Sequence, residues 1–343
     1  MITELKSIPD IWKRMPSEMH ARRFLENLIW STGRHCPHCG SVASSPLRGK
    51  TCRPGLYQCR DCRLQFTVTT LTPMHSTKLD LRVWISAMFL VLTSSKGISS
   101  VVMARLLGVN QKTAWKMGHA IREMMYYRNG ELLPLEDIVE VDEAYVGGAP
   151  KSLSGAYNKR GKGTAKPMIF VAASRDGQAR ARVVSDYKRT TLEPVLLEWV
   201  DPATISLMTD GSKSYIGLGK TMADHQSVIH SRKEYANPET GAHVNTADAV
   251  ISQVQRALVG VYHNLGRQHL QRYLDEIVWR WNHREPVREV VKQWTTRAGV
   301  AREKSTTIWR PIPVVDQMRV LLQGAVGKQV RRSKEYGLCR PLC

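Results

Sequence analysis

Four cysteines set as two Cys-x-x-Cys pairs constrain the fold of this chain more than any other feature. They are Cys36-Pro37-His38-Cys39 and Cys59-Arg60-Asp61-Cys62, with nineteen residues between them. Each pair forms a tight turn that presents two thiolates about one tetrahedral edge apart. The intervening segment, with turn residues at Arg53-Pro54-Gly55, is long enough to fold the second pair onto the first. This is the spacing of a zinc ribbon. A disulfide framework competes with it, but the seven cysteines are an odd number, and Met1 to Trp12 has neither a secretory h-region nor a cleavage site. Four thiolates close a tetrahedral site, so the Zn²⁺ expected here is structural, and Cys52 and His35 are expected to stand outside it. Cys339 and Cys343 lie in a basic stretch and read as incidental thiols.

Charge then narrows the partner. Lys and Arg number 50 against 30 Asp and Glu, a formal charge of +20 that calls for a polyanion, most often the phosphates of nucleic acid. The alternative is a merely basic soluble protein. With 42% hydrophobic residues the chain can bury a sizeable core, and its longest apolar run, Val83 to Leu92, is too short to cross a bilayer. The expected location is therefore the cytoplasm, with no membrane partner.

From Leu79 to about Met125 the apolar spacing is helical, and Ile98 to Trp115 has helix-turn-helix form. Ala104 permits close helix packing, Gly108 supplies the turn, Val109 plugs the core, and Asn110 caps a second helix. The first turns of that helix expose Gln111, Lys112, Thr113 and Lys116, which can reach base edges and phosphates in a major groove. A hairpin of helices packed inside a larger fold is the competing reading.

The second half changes from helices to strands. Ile138 to Val146 reads as a buried strand with an acidic step, closed by Gly147-Gly148. The stretch from Gly147 to Lys166 holds five Lys/Arg, five glycines and no acid, so a phosphate-seeking loop is expected there, with Lys159, Arg160 and Lys162 as DNA contacts. Met168 to Ser174 and Ala179 to Tyr187 read as strands joined across Asp176-Gly177, Thr190 to Val200 as a helix, and Ile205 to Asp210 as a fourth strand. Gln226 to Ile229 is a short fifth strand and Asn245 to Val259 a helix. Three antiparallel strands, a helix, two strands and a helix give the order of an α/β, RNase H-like fold. In that order Asp142, Asp210 and Asp248 fall at three stations that deliver carboxylates to a common point. Clustered carboxylates repel one another in low dielectric, and hard divalent cations relieve the repulsion. Two Mg²⁺ ions held this way suit in-line attack at a phosphodiester.

Several of these motifs together resemble a known family. The runs Tyr57 to Thr67, Val139 to Gly148, Thr209-Asp210-Gly211 and His243 to Asp248 look like those of bacterial insertion-sequence transposases of the zinc-ribbon, ISXO-like group, within the DDE and retroviral-integrase superfamily. Gly260 to His263, His269 to Glu276 and Arg280 to Arg284 are also similar, so the likeness spans roughly residues 15 to 285. It implies a transposase that binds the terminal inverted repeats of its element as a homodimer or higher oligomer. It would cut at the 3′ ends and join the freed 3′-hydroxyls to target DNA, associating with the nucleoid when bound. Asp142, Asp210 and Asp248 would be its catalytic ligands for two Mg²⁺ ions, with Mn²⁺ as a substitute. Two positions depart from the pattern: Asp248 stands where the family usually has Glu, and Gln255, with Arg256 beside it, stands where a DNA-contacting lysine is expected. Arg256 can carry that charge. His243 and Asn245 either support the third carboxylate by hydrogen bonds, join the metal shell, or cap the helix and its preceding loop. The implied division is an N-terminal segment with the zinc ribbon at 1–75, a helix-turn-helix segment at 76–130, a catalytic domain at 131–290 and a basic tail at 291–343. A non-catalytic DNA-binding repressor, derived from a decayed or co-opted transposase, is the second reading.

Overall fold

The run Val83 to Leu92 forms the middle of helix α3 (Leu81–Thr93), whose first turn is capped by Asp80 accepting the Arg82 N–H at 2.8 Å. These elements belong to a computed structural model that describes residues 4–127, 131–147, 164, 166–175, 177–228, 235–237, 240–263, 265–295, 301–333 and 337–339. Leu81, Ile85, Met88 and Val91 are enclosed by α1 (Ile8–Arg14), α2 (Glu18–Ile29), α4 (Ser100–Leu107) and α5 (Gln111–Met125). Because α1 and α2 share this core with α3 to α5, the boundary expected near residue 75 does not separate two cores.

A further helix, α10 (Val314–Gln323), completes the same core from the far end of the chain. Val314, Val315, Met318, Leu321 and Leu322 all lie in it. The segment expected as a basic tail, 291–343, is therefore largely built structure. Its apolar residues recur at helical spacing and find a partner surface 200 residues upstream. Before α10 the chain runs through a long antiparallel hairpin, β9 (Arg284–Thr295) and β10 (Ala301–Pro311), which is a two-stranded sheet by itself.

Between α2 and α3, three short strands, β1 (Ser44–Pro46), β2 (Tyr57–Cys59) and β3 (Gln65–Phe66), pair antiparallel in that order. Their core is small: Cys36, Cys59 and Phe66, with Trp30, Tyr57 and Cys62 packed on it. The Tyr57 hydroxyl donates to Glu26 on α2 at 3.2 Å and ties this module to the helices.

The central layer is a five-stranded sheet in the order β6-β5-β4-β7-β8. β4 (Ile138–Tyr145), β5 (Met168–Ser174) and β6 (Ala179–Val184) run antiparallel, whereas β7 (Ser206–Asp210) and β8 (Asp224–Val228) lie parallel to β4. One face packs on α6 (Arg189–Leu197) and α7 (Lys213–Gly219), through Leu192, Leu196, Tyr215 and Leu218. The other packs on α8 (Asn245–Ala257) and α9 (Leu270–Asn282), through Val250, Val254, Leu274 and Ile277. Three antiparallel strands followed by two parallel ones, with helices on both faces, are the RNase H-like arrangement.

Candidate active site

Side chains of a strand alternate between faces, and this sheet has a different helix layer on each. Val139, Val141 and Tyr145 pack toward α6 and α7. Glu140, Asp142 and Ala144 therefore share the α8 face, where Ala144 meets the cluster containing Val250, Ile251 and Val254. Parallel pairing sets Glu140 beside Met208, so two residues further on Asp142 stands level with Asp210 at the end of β7. Met208 packs with Ala242 and Val244, just before α8, and so identifies the face that Asp210 shares. The first turn of α8 carries Asp248.

Electrostatics give the same convergence. Burial pushes the Asp142 carboxyl up to about 8, reinforced by the negative charges of Glu143, Asp248 and Asp210, while the Glu143 N–H, 2.8 Å from Asp142 Oδ1, opposes the rise. Asp210 Oδ1 accepts the Ser212 N–H at 3.1 Å, which fixes its side chain at the turn into α7. Asp248 is exposed, whereas Asp142 and Asp210 are half-buried. Glu143 lies on the opposite face from Asp142, where it accepts from the hydroxyl of fully buried Tyr215.

Glu140 escaped the reading of the sequence. It is fully buried, and its Oε2 accepts the backbone N–H groups of Thr246 at 2.5 Å and Ala247 at 3.3 Å. Those are orphan donors at the start of α8, so a carboxylate from β4 supplies the helix cap across the sheet. Its Oε1 meets Arg175 Nε at 2.8 Å and His243 Nδ1 at 3.0 Å. His243 thus supports Glu140 rather than Asp248. Asn245, expected either to support Asp248 or to cap the helix, is the exposed first residue of α8; the N-cap position is Val244, and no side chain there bonds the helix. A Val-Glu-Val-Asp strand whose Glu shares a face with the Asp was the available signal.

Gln255 and Arg256 are both exposed on the last turn of α8, two turns beyond Asp248. On the helical side, Gly108 takes φ 64 and ends α4, and the Asn110 side chain accepts the Thr113 N–H at 2.8 Å to open α5. Lys112 and Lys116 are exposed, as is Gln111, whose Nε2 donates to Ser100 Oγ at 2.9 Å; Thr113 is half-buried. Lys159, Arg160 and Lys162 lie outside the described residues.

The four cysteines come together. Cys36 Sγ and Cys62 Sγ are 3.7 Å apart, Cys39 Sγ and Cys59 Sγ 3.6 Å, and all four sulfurs lie within 4.8 Å of one another. A tetrahedral zinc with bonds of about 2.3 Å requires sulfur separations of about 3.8 Å, so the donor set fits that ion. Backbone N–H groups, that of Cys62 foremost, hold the Cys59 thiol down at about 7. Cys52 and His35 stand outside the cluster. Among the described residues, no other group of three or more such ligands is as tight, and the carboxylate trio is more open than the cysteines.

A nucleic-acid-processing class is defined by this combination: a carboxylate-bearing RNase H-like sheet behind a helical unit and a four-cysteine ribbon. Residues 134–282 match the ISXO2-like transposase domain, and residues 16–65 match the transposase zinc-ribbon domain. By these two matches the chain belongs with the zinc-ribbon, ISXO2-like transposases. It is 27% identical over 293 residues to an uncharacterized protein in transposable element ISH50 of Halobacterium salinarum, a match covering 82% of this chain and 96% of the relative. It superposes on Mos1 transposase in a paired-end complex with the left transposon end with a TM-score of 0.26 and 11% identity, over 57% of this chain and 73% of that one. A Mos1 mariner paired-end complex with Mn gives 0.20 and 11%, over 57% and 76%. The RNase H-like assignment rests on strand order, not on these superpositions. Among the described residues no helix is long and apolar enough to cross a membrane.

Proposed function

We propose that the chain is an active transposase that binds the ends of its insertion sequence and carries out divalent-metal-dependent 3′-end cleavage and strand transfer. The observation that carries this reading is that Asp142, Asp210 and Asp248 stand on one face of the sheet, with the Asp142 carboxyl raised chiefly by burial, then by the charge of Glu143 and, less, by those of Asp248 and Asp210. The donor chemistry fits Mg²⁺, since hard carboxylate oxygens that repel one another are relieved by a hard cation. Bound Mg²⁺ would supply activation of a water or 3′-hydroxyl and stabilisation of the leaving oxygen.

The chain's own contribution is to hold the three oxygens in place: Asp142 through the strand ladder, Asp210 through the Ser212 N–H, Asp248 through a helix end anchored by Glu140. Exposed Arg256 offers a cation two turns along the same helix for a DNA phosphate, in the role that a lysine would otherwise fill. Lys112 and Lys116 on α5 are the proposed contacts to the inverted repeat, with Gln111 and Thr113 beside them. A structural Zn²⁺ held by Cys36, Cys39, Cys59 and Cys62 would close the ribbon, whose core is too small to be stable alone.

The test is cleavage of duplexes carrying the element's ends in Mg²⁺ or Mn²⁺. Asp142→Asn, Asp210→Asn and Asp248→Asn should each lose cleavage by about 10³-fold or more while retaining DNA affinity, and Asp248→Glu should stay active. If the parent chain binds the ends but never cuts them, the repressor reading replaces this one.

A further inference from the structure

Most positions of the β9–β10 hairpin whose burial is described are exposed, and the register sorts its charges onto opposite faces. On one face the register pairs Arg288 with Ile308, Val290 with Thr306, Lys292 with Lys304 and Trp294 with Arg302. These eight positions hold four bases and no acid. On the other face it pairs Glu289 with Thr307, Val291 with Ser305, Gln293 with Glu303 and Thr295 with Ala301, which gives two acids and no base.

In register, the acids opposite this stretch lie on the other face, and the nearest acid on the basic face is Glu285, paired with Arg310 beyond the bulge at the base of the ribbon. Glu289 accepts from the Ser305 hydroxyl and Glu303 Oε2 accepts from Gln293 Nε2 at 2.6 Å, so both acids are engaged by neutral neighbours on their own side. Arg288 and Lys292 make no ion pair among the described residues. Lys292 directly opposite Lys304 is an arrangement that weakens a two-stranded sheet, itself only marginally stable in water. Such a face is stabilised by an anion laid along it.

The base of the ribbon is fixed to the catalytic domain. Trp309 packs where a Cβ on Gly177 would sit, at 2.6 Å, and Arg284 stacks over Trp281 at 3.8 Å. We propose that the face bearing Arg288, Lys292, Arg302 and Lys304 binds the backbone of duplex DNA. A major groove about 12 Å wide admits a two-stranded ribbon of this kind, with half-buried Val290 and the exposed Thr306 and Ile308 on the same face as the cations. A second copy of the chain is the competing occupant, but it would have to supply an acidic surface, whereas DNA supplies phosphates at regular spacing. The proposal rests on duplex DNA being the substrate and is independent of the carboxylate site.

The experiment uses the full chain carrying Asp142→Asn, without divalent metal, on duplex DNA with and without the element's ends. Binding is measured against salt for this parent, for the Arg288→Ala, Lys292→Ala, Arg302→Ala, Lys304→Ala variant, and for Glu289→Ala with Glu303→Ala. Every phosphate that the variant no longer neutralises lowers the salt slope by about 0.9, so the four-base variant should lose roughly 2 to 4 from the slope and tenfold or more in affinity near 0.15 M salt. The double acid variant should bind at least as well as the parent. Lys292→Arg with Lys304→Arg should keep full binding, which separates charge from folding. An unchanged slope and affinity in a folded four-base variant overturns the proposal. So does unchanged binding with a shift to smaller species in sedimentation, which would assign the face to a second copy. If the parent binds no duplex at all, the DNA reading fails with it; if the parent binds but does not cleave once Asp142 is restored, only the catalytic reading fails.

Discussion

Glu140 makes four contacts with two oxygens: two backbone donors at the head of α8, the Arg175 guanidinium and the His243 ring. A glutamine in its place keeps the shape but turns one end into a donor facing Arg175. Leaving such a buried group mismatched costs about 1–3 kcal/mol, so Glu140→Gln should lose stability by that amount and melt at a lower temperature. Because the start of α8 also carries Asp248, we expect the variant to need more Mg²⁺ for half-maximal cleavage, with DNA affinity unchanged; a lowered melting temperature with an unaltered Mg²⁺ requirement would make Glu140 structural only. The elements that carry Asp142, Asp210 and Asp248 were legible in the sequence from their apolar periodicity, which sets Asp142 within a strand, Asp210 at a strand end and Asp248 in the first turn of a helix. Glu140 was not, since its partners are backbone amides more than 100 residues away, and a buried Glu in a Val-Glu-Val-Asp strand gives no sign of what it caps. His243 was noticed for its nearness in sequence to Asp248, yet the fold turns it toward Glu140.

At the level of elements, the seam between α5 and α9 decides how helix α5 is held. Arg122 on α5 meets Glu276 on α9 at 2.5 Å, and Glu276 also receives Arg280 at 2.5 Å and the Tyr262 hydroxyl at 2.9 Å. Glu123 and Arg272 form a second pair across the same seam at 3.2 Å, with the charges reversed. The loop into α4 closes over this network: a Cβ on Gly97, whose φ is +94, would overlap the Tyr262 hydroxyl. His119 is buried beside it with both ring nitrogens lacking hydrogen-bond partners among the described residues. Burial, helped by the cations Arg122 and Arg272 and by His269, drives its pKa down from 6.5 to about 2. Below pH 6.5 the unfolded chain therefore takes up a proton that the folded chain refuses, and stability falls as pH falls, by about 1.4 kcal/mol per unit for this group. Denaturant melts between pH 7 and pH 5 should show a shallower loss in His119→Phe than in the parent; equal slopes would mean that His119 titrates normally. The break between α4 and α5, with its Gly108 turn and Asn110 cap, was legible, and so were the five sheet strands. Helix α7 was not, because Gly217 and Gly219 break its periodicity within seven residues. The buried second half of α5 was likewise hidden, since charged Arg122 and Glu123 resemble a solvated face until their partners on α9 are known.

Across the whole molecule, the chain leaves the helical unit after α5, builds the five-stranded sheet and the hairpin, and returns to the same helical core with α10. The return is tied at several points: the Val314 N–H to Glu4 at 2.8 Å, the Gly327 N–H to the Leu71 carbonyl at 2.7 Å, and Lys328 Nζ to the Tyr126 carbonyl at 2.5 Å. Val314, Val315, Met318, Leu321 and Leu322 are each no more than 5% exposed, and burying side chains of this size is worth roughly 1.5–3 kcal/mol apiece. Their sum, on the order of 8–15 kcal/mol, is as large as the whole stability of a typical domain, about 5–15 kcal/mol. Charge dominated the reading of 291–343 as a tail, and it concealed an amphipathic helix whose partner surface lies at the other end of the chain. A chain ended after Arg310 should therefore lose the helical unit although every residue of α1 to α5 remains. Expected outcomes are loss of helical circular dichroism, loss of selectivity for the element's ends, and retention of about one zinc, because the cysteine cluster is closed by residues 36–62 alone. Supplying residues 311–330 as a separate peptide should restore part of the helical signal, and a truncated chain that melts like the parent would show that α10 covers the core without supporting it.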